Sequence, residues 1–415
     1  MENNLEKLTL ENGMKIYLYK DSTKHSTFVN FITKYGGFYN DFKIDDKEYN
    51  IPNGMAHFIE HLLIETSKYG NLIHVLGEKQ MSTNGVTYTD MTQFYFNAVE
   101  NVEIGIETLI RAINEADFNQ EDIEKTKGAI YQEVRMQRDN KFRVLNDVKM
   151  KNIFKKIPYI NNLGDLNNVM NFSYEQVKLC YDAFYNPNNQ IVVVAGNFDV
   201  EKVKKIIIDI CSKYENNFNS VKLIDYNEPK EVDKKSDIVK MPTGKQFVDI
   251  TYKIDISNLT YKDILKLDFY LDIFNRMNFG TTSSVYQKLF EEKVIVDSIN
   301  STYWVLDNYY LLSVGAYTDE DDKFLKEIKK VFSGNFIFDK ELFDLYCKQC
   351  KMNISIRPDS LSSMILPFID NIVSFEYEYF DTVNDINDFS LKELEDYMNS
   401  FDFSNYTVIK IVNND

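Results

Sequence analysis

Phe172 to Gly196 reads FSYEQVKLCYDAFYNPNNQIVVVAG. Ser173 is a helix cap, and Val177, Tyr181 and Phe184 recur on one side of the helix it starts. Pro187 ends that pattern, and a strand of branched residues follows from Gln190 to Ala195. The same arrangement returns at the end of the chain. Phe389-Ser390 opens it, Leu394, Met398 and Phe401 follow, and Asn405 precedes Val408-Ile409 and a strand from Tyr406 to Val412. The offset is 217 at each of these positions. A fainter echo pairs Phe28-Val29-Asn30-Phe31 with Phe247-Val248-Asp249-Ile250. Repetition at this distance implies two related domains, because a solenoid repeats every 20–50 residues or so. A chain of 415 residues has room for two cores.

The best boundary is the charged stretch Asn227 to Asp237, NEPKEVDKKSD, which contains Pro229 and lacks apolar periodicity. The expected division is therefore 1–226, a linker at 227–237, and 238–415. Strand-like and helix-like segments alternate in both halves, with hairpin-like pairing from Lys7 to Tyr19 and then Thr27 to Tyr35. That predicts an α+β fold with two related domains, each a largely antiparallel sheet flanked by helices.

The chain carries 47 basic and 64 acidic residues, a formal charge of −17. This excludes the usual electrostatic route to nucleic acid or anionic membranes. Met1 to Leu10 is polar and acidic, without the apolar core of a secretion signal, and no apolar run approaches the ~18 residues of a membrane span. The expectation is a cytoplasmic chain. Cysteines number four, Cys180, Cys211, Cys347 and Cys350, too sparse for a disulfide framework. Cys347-x-x-Cys350 falls in a helical pattern and reads as core packing.

Chemistry concentrates in Asn53 to Glu65, NGMAHFIEHLLIE. Asn53 is a plausible N-cap, and Phe58, Ile59, Leu62 and Leu63 give an apolar face. His57 and His61 stand four apart, so on a helix they lie one turn apart on one side, where two imidazoles can grip one tetrahedral metal ion. Only four histidines occur in the chain, and two of them fall at this spacing with Glu60 between. Glu60 can reach the open coordination position and accept a proton from water there. A third ligand is needed. A helical pattern from Gln120 to Asn140, capped by Asn119 with Ile123, Ile130 and Val134 buried, carries Glu133. By spacing alone, Glu121, Glu124 and Asp139 compete with it. Between the two helices, Met81 to Tyr88 and Gln93 to Phe96 read as strands. If the first is a sheet edge beside the metal, its backbone at Thr83, Asn84 and Gly85 can pair with an extended peptide.

These residues resemble a known family. H-x-x-E-H with a helical Glu some seventy residues later is the mark of the pitrilysin/insulinase-type metallopeptidases, the inverzincins. Leu10-Glu11-Asn12-Gly13 looks like the family's opening hairpin, and Gly54 to His61 is close to its G-x-A-H-F-L-E-H. Asn84 and Thr87 match its N-A-x-T edge strand. Tyr185-Asn186-Pro187-Asn188-Asn189 matches the close of its first domain. The resemblance implies zinc held by His57, His61 and Glu133, Glu60 as general base, and Asn84 with its edge strand holding the substrate. It also implies a zinc-dependent endopeptidase in which each half-size chain forms half of a clamshell around a peptide.

Two departures qualify it. Thr126 stands where the family has a supporting Glu, a role that Glu124 or a water would have to fill. In Thr282 to Asp297 (TSSVYQKLFEEKVIVD), Phe290 replaces the family's Arg and Asp297 its Tyr. Neither can donate a hydrogen bond to an oxyanion at neutral pH. The chain therefore reads as one subunit of a heterodimer, whose homologous sister chain supplies Arg and Tyr. The resemblance points to a bacterial peptidase of a leader or precursor peptide. The alternative is a non-catalytic structural or peptide-binding subunit of the same fold.

Overall fold

The computed structural model describes residues 4–137, 139–218 and 221–414. In chain order the first strands are β1 (Leu5–Thr9), β2 (Lys15–Lys20), β3 (Thr27–Thr33), β4 (Asp41–Ile44), β5 (Lys47–Asn50), β6 (Ser82–Thr87), β7 (Thr92–Ala98) and β8 (Gln190–Gly196). They are followed by β9 (Val221–Leu223), β10 (Ser236–Lys240), β11 (Phe247–Asp255), β12 (Asn300–Leu306), β13 (Tyr309–Tyr317) and β14 (Tyr406–Val412). The helices that matter for the site and for the covering of the sheets are α1 (Met55–Glu65), α2 (Gln120–Gln137), α3 (Lys141–Ile153), α4 (Tyr174–Phe184), α5 (Ser284–Glu291), α6 (Lys340–Ile356), α7 (Leu361–Ser374) and α8 (Leu391–Ser400). Among the described residues, no helix is long and apolar enough to cross a membrane.

The fold is α+β, and the duplication is written into the strand order. One sheet runs β1-β2-β8-β3-β7-β6 and another runs β10-β14-β11-β13-β12. In the first, β2 lies parallel to β8, and β3 is antiparallel to both β8 and β7. In the second, β10 lies parallel to β14, and β11 is antiparallel to both β14 and β13. All other pairings in the two sheets are antiparallel. The predicted hairpin is β1–β2 alone, because β8 separates β2 from β3.

The 217 offset holds for the helices but not for the strands. Val177 and Leu394 each enter the core of their own unit, as the offset requires. Ile191, however, packs with Leu361 and Phe368, whereas Val408, its counterpart at 217, enters the second core. Val192 is the residue on the matching face. The second copy is thus one residue shorter between helix and strand. In a strand, a slip of one residue reverses every side chain, which is why the discrepancy is visible in the burial.

The chain forms two compact units, and they do not divide at one point as the sequence suggested. The first comprises Met1–Arg138, Ile160–Asp225 and Arg357–Phe380, and the second comprises Asp139–Tyr159, Tyr226–Ile356 and Asp381–Asp415. The reason is that both faces of each sheet are buried. In the first unit, one face of β8 and β3 packs on α1 and α4. The other face packs Tyr17, Phe28, Ile191 and Val193 against Met364, Ile365, Phe368 and Ile372 of α7, a helix from late in the sequence. In the second unit, Phe247, Ile409 and Ile411 pack against Leu145 of α3, a helix from the first half of the sequence. Each sheet is covered on its second face by a helix contributed by the other half of the sequence.

The predicted linker is also not a spacer. Ser236 and Asp237 begin β10, and Glu228 is buried in the second unit. Its carboxylate accepts from the backbone N–H groups of Lys155, Lys156 and Ile157 at 3.0, 2.7 and 2.9 Å. It also pairs with Lys253 at 2.6 Å, and both side chains are fully buried. Burial pushes the Lys253 ammonium below its usual range. Burial would raise Glu228, but Lys253 and the three N–H groups outweigh it and hold the carboxyl low. Removing one partner of such a pair leaves a buried charge. Glu228→Ala is expected to lower stability by about 3 kcal/mol in urea unfolding. Adding Lys253→Met should recover only part of that, because the three N–H groups stay without the carboxylate, whereas an unchanged midpoint in Glu228→Ala would show that the pair is dispensable.

Candidate metal centre

α1 is buried on nearly every side, and that burial fixes its rotation. Met55, Phe58, Ile59, Leu62 and Leu63 enter the first core, and His57 and Glu60 are 7% and 6% exposed. Asn53 is not the cap. Its side-chain oxygen accepts from Asn40 at 2.9 Å and from the Asn161 backbone at 3.1 Å. Gly54 is the N-cap residue, with φ +97°. A Cβ there would meet the Cα of Gly164 at 2.6 Å, so both the backbone angle and the space demand glycine. Asn119 does cap α2, accepting from the backbone of Glu121 and Asp122 at 2.8 and 3.2 Å. Ile123, Ile130 and Val134 bury the inner face of α2, as predicted.

α1 and α2 pack against each other and bring His57, His61 and Glu133 together. Glu133 Oε2 lies 3.5 Å from His57 Nε2 and 3.3 Å from His61 Nε2. The imidazole centroids are 4.6 Å apart, with 74° between the ring planes. One donor atom from each of the three residues falls within 4.8 Å of the other two. A tetrahedral zinc with bonds of 2.0–2.2 Å places neighbouring donors about 3.4 Å apart. The two separations from Glu133 match that edge, and the donor set fits zinc in its chemistry. Burial alone would lower the His61 pKa, but the Glu133 and Glu65 carboxylates overcome it and raise it to about 10. A metal entering here must displace that proton.

Glu60 sits beside the donors without joining them. Burial pushes its pKa up to about 7, against the lowering effect of a hydrogen bond from Thr87 and the nearby His61. Thr87 Oγ1 donates that bond to Glu60 Oε2 at 2.7 Å. β6, the edge strand of the first sheet, brings Thr87 there. Its approach to α1 is close. A Cβ on Gly85 would lie 2.4 Å from Ile64 Cδ1 and 2.7 Å from Glu60 Oε1. A larger residue there would have to push the ends of the Ile64 and Glu60 side chains aside.

A cleft of about 360 Å³ opens over the donors, and Asn84, Gly85, Asn162 and Leu163 contribute to its walls. Thr83 does not line it. By strand alternation it faces the same side as Gly85 and Thr87, toward α1, and its hydroxyl is buried. The backbone is a different matter. Tyr88 N–H bonds to Met91 O at 2.8 Å, which fixes the alternation along the β6–β7 pair. Thr83, Gly85 and Thr87 therefore turn their N–H and C=O groups outward, away from β7. Asn162 Nδ2 approaches the outward Thr87 carbonyl at 3.5 Å.

Thr87 and Glu65 are contacts that sequence reasoning did not assign to the site. Glu65 Oε1 lies 3.0 Å from His61 Nδ1. The signal for it was present, since Glu65 follows His61 by four residues on one helix. Glu124 does not replace the carboxylate missing at Thr126. It is exposed, bonded to Lys127 at 2.8 Å and Gln120 at 3.0 Å, and Thr126 is fully buried on α2. In the second unit, Phe290 projects from α5 with 48% of its surface exposed and stacks on Tyr286. Asp297 is exposed and accepts from its neighbour Ser298. Cys347 and Cys350 of α6 are buried thiols in the second core.

Comparison with known proteins identifies the family. Residues 44–165 match the family model for insulinase (peptidase family M16), and residues 171–349 match the model for the peptidase M16 inactive domain. The uncharacterized zinc protease YmfH of Bacillus subtilis is 26% identical over 326 residues, covering 78% of this chain and 76% of that protein. Among solved structures, an M16-like peptidase from Alicyclobacillus acidocaldarius is similar with a TM-score of 0.88 at 21% identity, covering 99% of this chain and 98% of that one. A protease from Helicobacter pylori gives 0.80 at 16% identity, with 98% and 99% covered. With its duplicated sheets, its inverted His-x-x-Glu-His helix and two adjoining family models along its length, the chain belongs to the M16 family of insulinase-type peptidases.

Proposed function

We propose that this chain is the metal-binding, catalytic subunit of a zinc endopeptidase. One observation carries the reading: His57, His61 and Glu133 stand at the donor spacing of a tetrahedral zinc site, with Glu60 held beside them by Thr87. A zinc ion in that set would supply a Lewis acid for the scissile carbonyl and for water. Glu60 takes the proton of the attacking water as the C–O bond forms, then returns it to the amine as the C–N bond breaks. Burial opposes its ionisation, which favours a carboxyl group that must give its proton back as well as take it. The outward backbone of Thr83 and Gly85 supports an extended peptide added as a further strand of the first sheet, with the Asn84 side chain beside it. Asn162, at the Thr87 carbonyl, would mark one end of that pairing. A leader or precursor peptide is the substrate class that the resemblance favours.

The missing donors support a second chain. Phe290 and Asp297 cannot stabilise an oxyanion, so a homologous sister subunit would bring the Arg and Tyr. Named relatives that are zinc proteases support the peptidase reading.

Glu60→Gln should retain about one equivalent of zinc by metal analysis and lose about 10²- to 10⁴-fold in kcat on a peptide substrate. Parent-like cleavage by this variant would sink the assignment of the base. The chain purified alone should cleave far more slowly than the same chain mixed with its homologous partner from the native host. Full activity from the isolated chain would remove the need for a sister subunit, and zinc binding without cleavage in either preparation would favour the peptide-binding alternative.

A further inference from the structure

The cleft contains three carboxylates, Glu60, Glu65 and Glu133. Two have roles in the reading above: Glu133 faces Nε2 of both imidazoles, and Glu60 is held by Thr87. Glu65 lies behind His61, on the side away from Glu133. Its Oε1 is 3.0 Å from His61 Nδ1.

We propose that Glu65 is the positioning residue of the metal centre, fixing the tautomer and aim of His61, in place of the supporting carboxylate that Thr126 cannot provide. The inference rests on the zinc reading of the site. An ionised carboxylate only accepts hydrogen bonds, so the bond across 3.0 Å requires a proton on Nδ1. The lone pair available to a metal is then on Nε2, the atom that points at Glu133 from 3.3 Å. Carboxylate–imidazole–metal arrays orient the ring and make it a better ligand.

Position in the helix supplies an independent argument. Glu65 is the last residue of α1, where the helix presents its own partial negative charge and an acidic side chain is disfavoured. The side chain is only 27% exposed, so solvent does not fully screen that repulsion. The helix end alone does not favour a carboxylate there, and the partner that holds it is the candidate ligand His61. The i, i+4 spacing keeps Glu65 and His61 on one face of α1.

The test compares parent, Glu65→Gln and Glu65→Leu as full-length chains, by chelator-competition titration of the zinc Kd and by thermal unfolding of the metal-free forms. Glu65→Leu should weaken zinc about 10- to 100-fold, alongside whatever the metal-free Tm loses with the Glu65–His61 pair. Glu65→Gln keeps an oxygen acceptor without charge and should fall between. A parent-like Kd in Glu65→Leu would overturn the inference while leaving the zinc site standing. A lower metal-free Tm with no change in Kd would likewise assign Glu65 a purely structural role. Failure of the parent itself to bind one equivalent of zinc would overturn both readings together.

Discussion

Everything in the site depends on one constraint: three donor atoms from two different helices must meet within a few tenths of an ångström. His57 and His61 satisfy part of it by helical spacing, since a turn of α1 sets them on one side. Glu133 has to arrive from α2, so the packing of α2 on α1 sets the last distance. That packing is apolar. Ile123, Ile130 and Val134 hold α2, while Phe58, Ile59, Leu62 and Leu63 hold α1. The donor geometry is thus a consequence of how two hydrophobic stripes lock, and an error of a single residue in either stripe would carry a candidate donor away.

The same constraint explains the glycines. Gly54 lets the chain enter α1 through a left-handed residue pressed against Gly164. Gly85 lets β6 approach closely enough for Thr87 to hold Glu60. The result is a buried carboxylic acid whose ionisation is opposed by burial and supported by a hydroxyl and an imidazole. A group in that balance is poor for stability and useful for moving protons.

Much of this was legible in the sequence, for physical reasons. Periodicity exposed α1 and α2, and the spacing of His57, Glu60 and His61 follows from the geometry of one helical turn. Glu133 was not determined by spacing, because Glu121, Glu124 and Asp139 lie on or beside the same helix, and only resemblance separated them. The two-copy architecture was legible from the echo of Phe172–Val192 in Phe389–Ile409, yet the one-residue slip at Val408 was not, since branched residues occupy both faces of both strands. The covering of each sheet by α7 or α3 was equally hidden. Nothing local in Leu361–Ser374 tells which apolar surface it will meet. Glu228 looked like linker charge because its buried partner, Lys253, lies twenty-five residues away.

The duplication leaves the second unit with the sheet but without histidines, and the grouping of His57, His61 and Glu133 lies in the first. The identity of the donors can be read by X-ray absorption at the zinc edge on the full chain loaded with one equivalent of zinc. The account predicts a sulfur-free shell of nitrogen and oxygen at about 2.0–2.2 Å, with the outer scattering of two imidazoles. A sulfur shell at about 2.3 Å, or a zinc with fewer than two imidazoles, would contradict it.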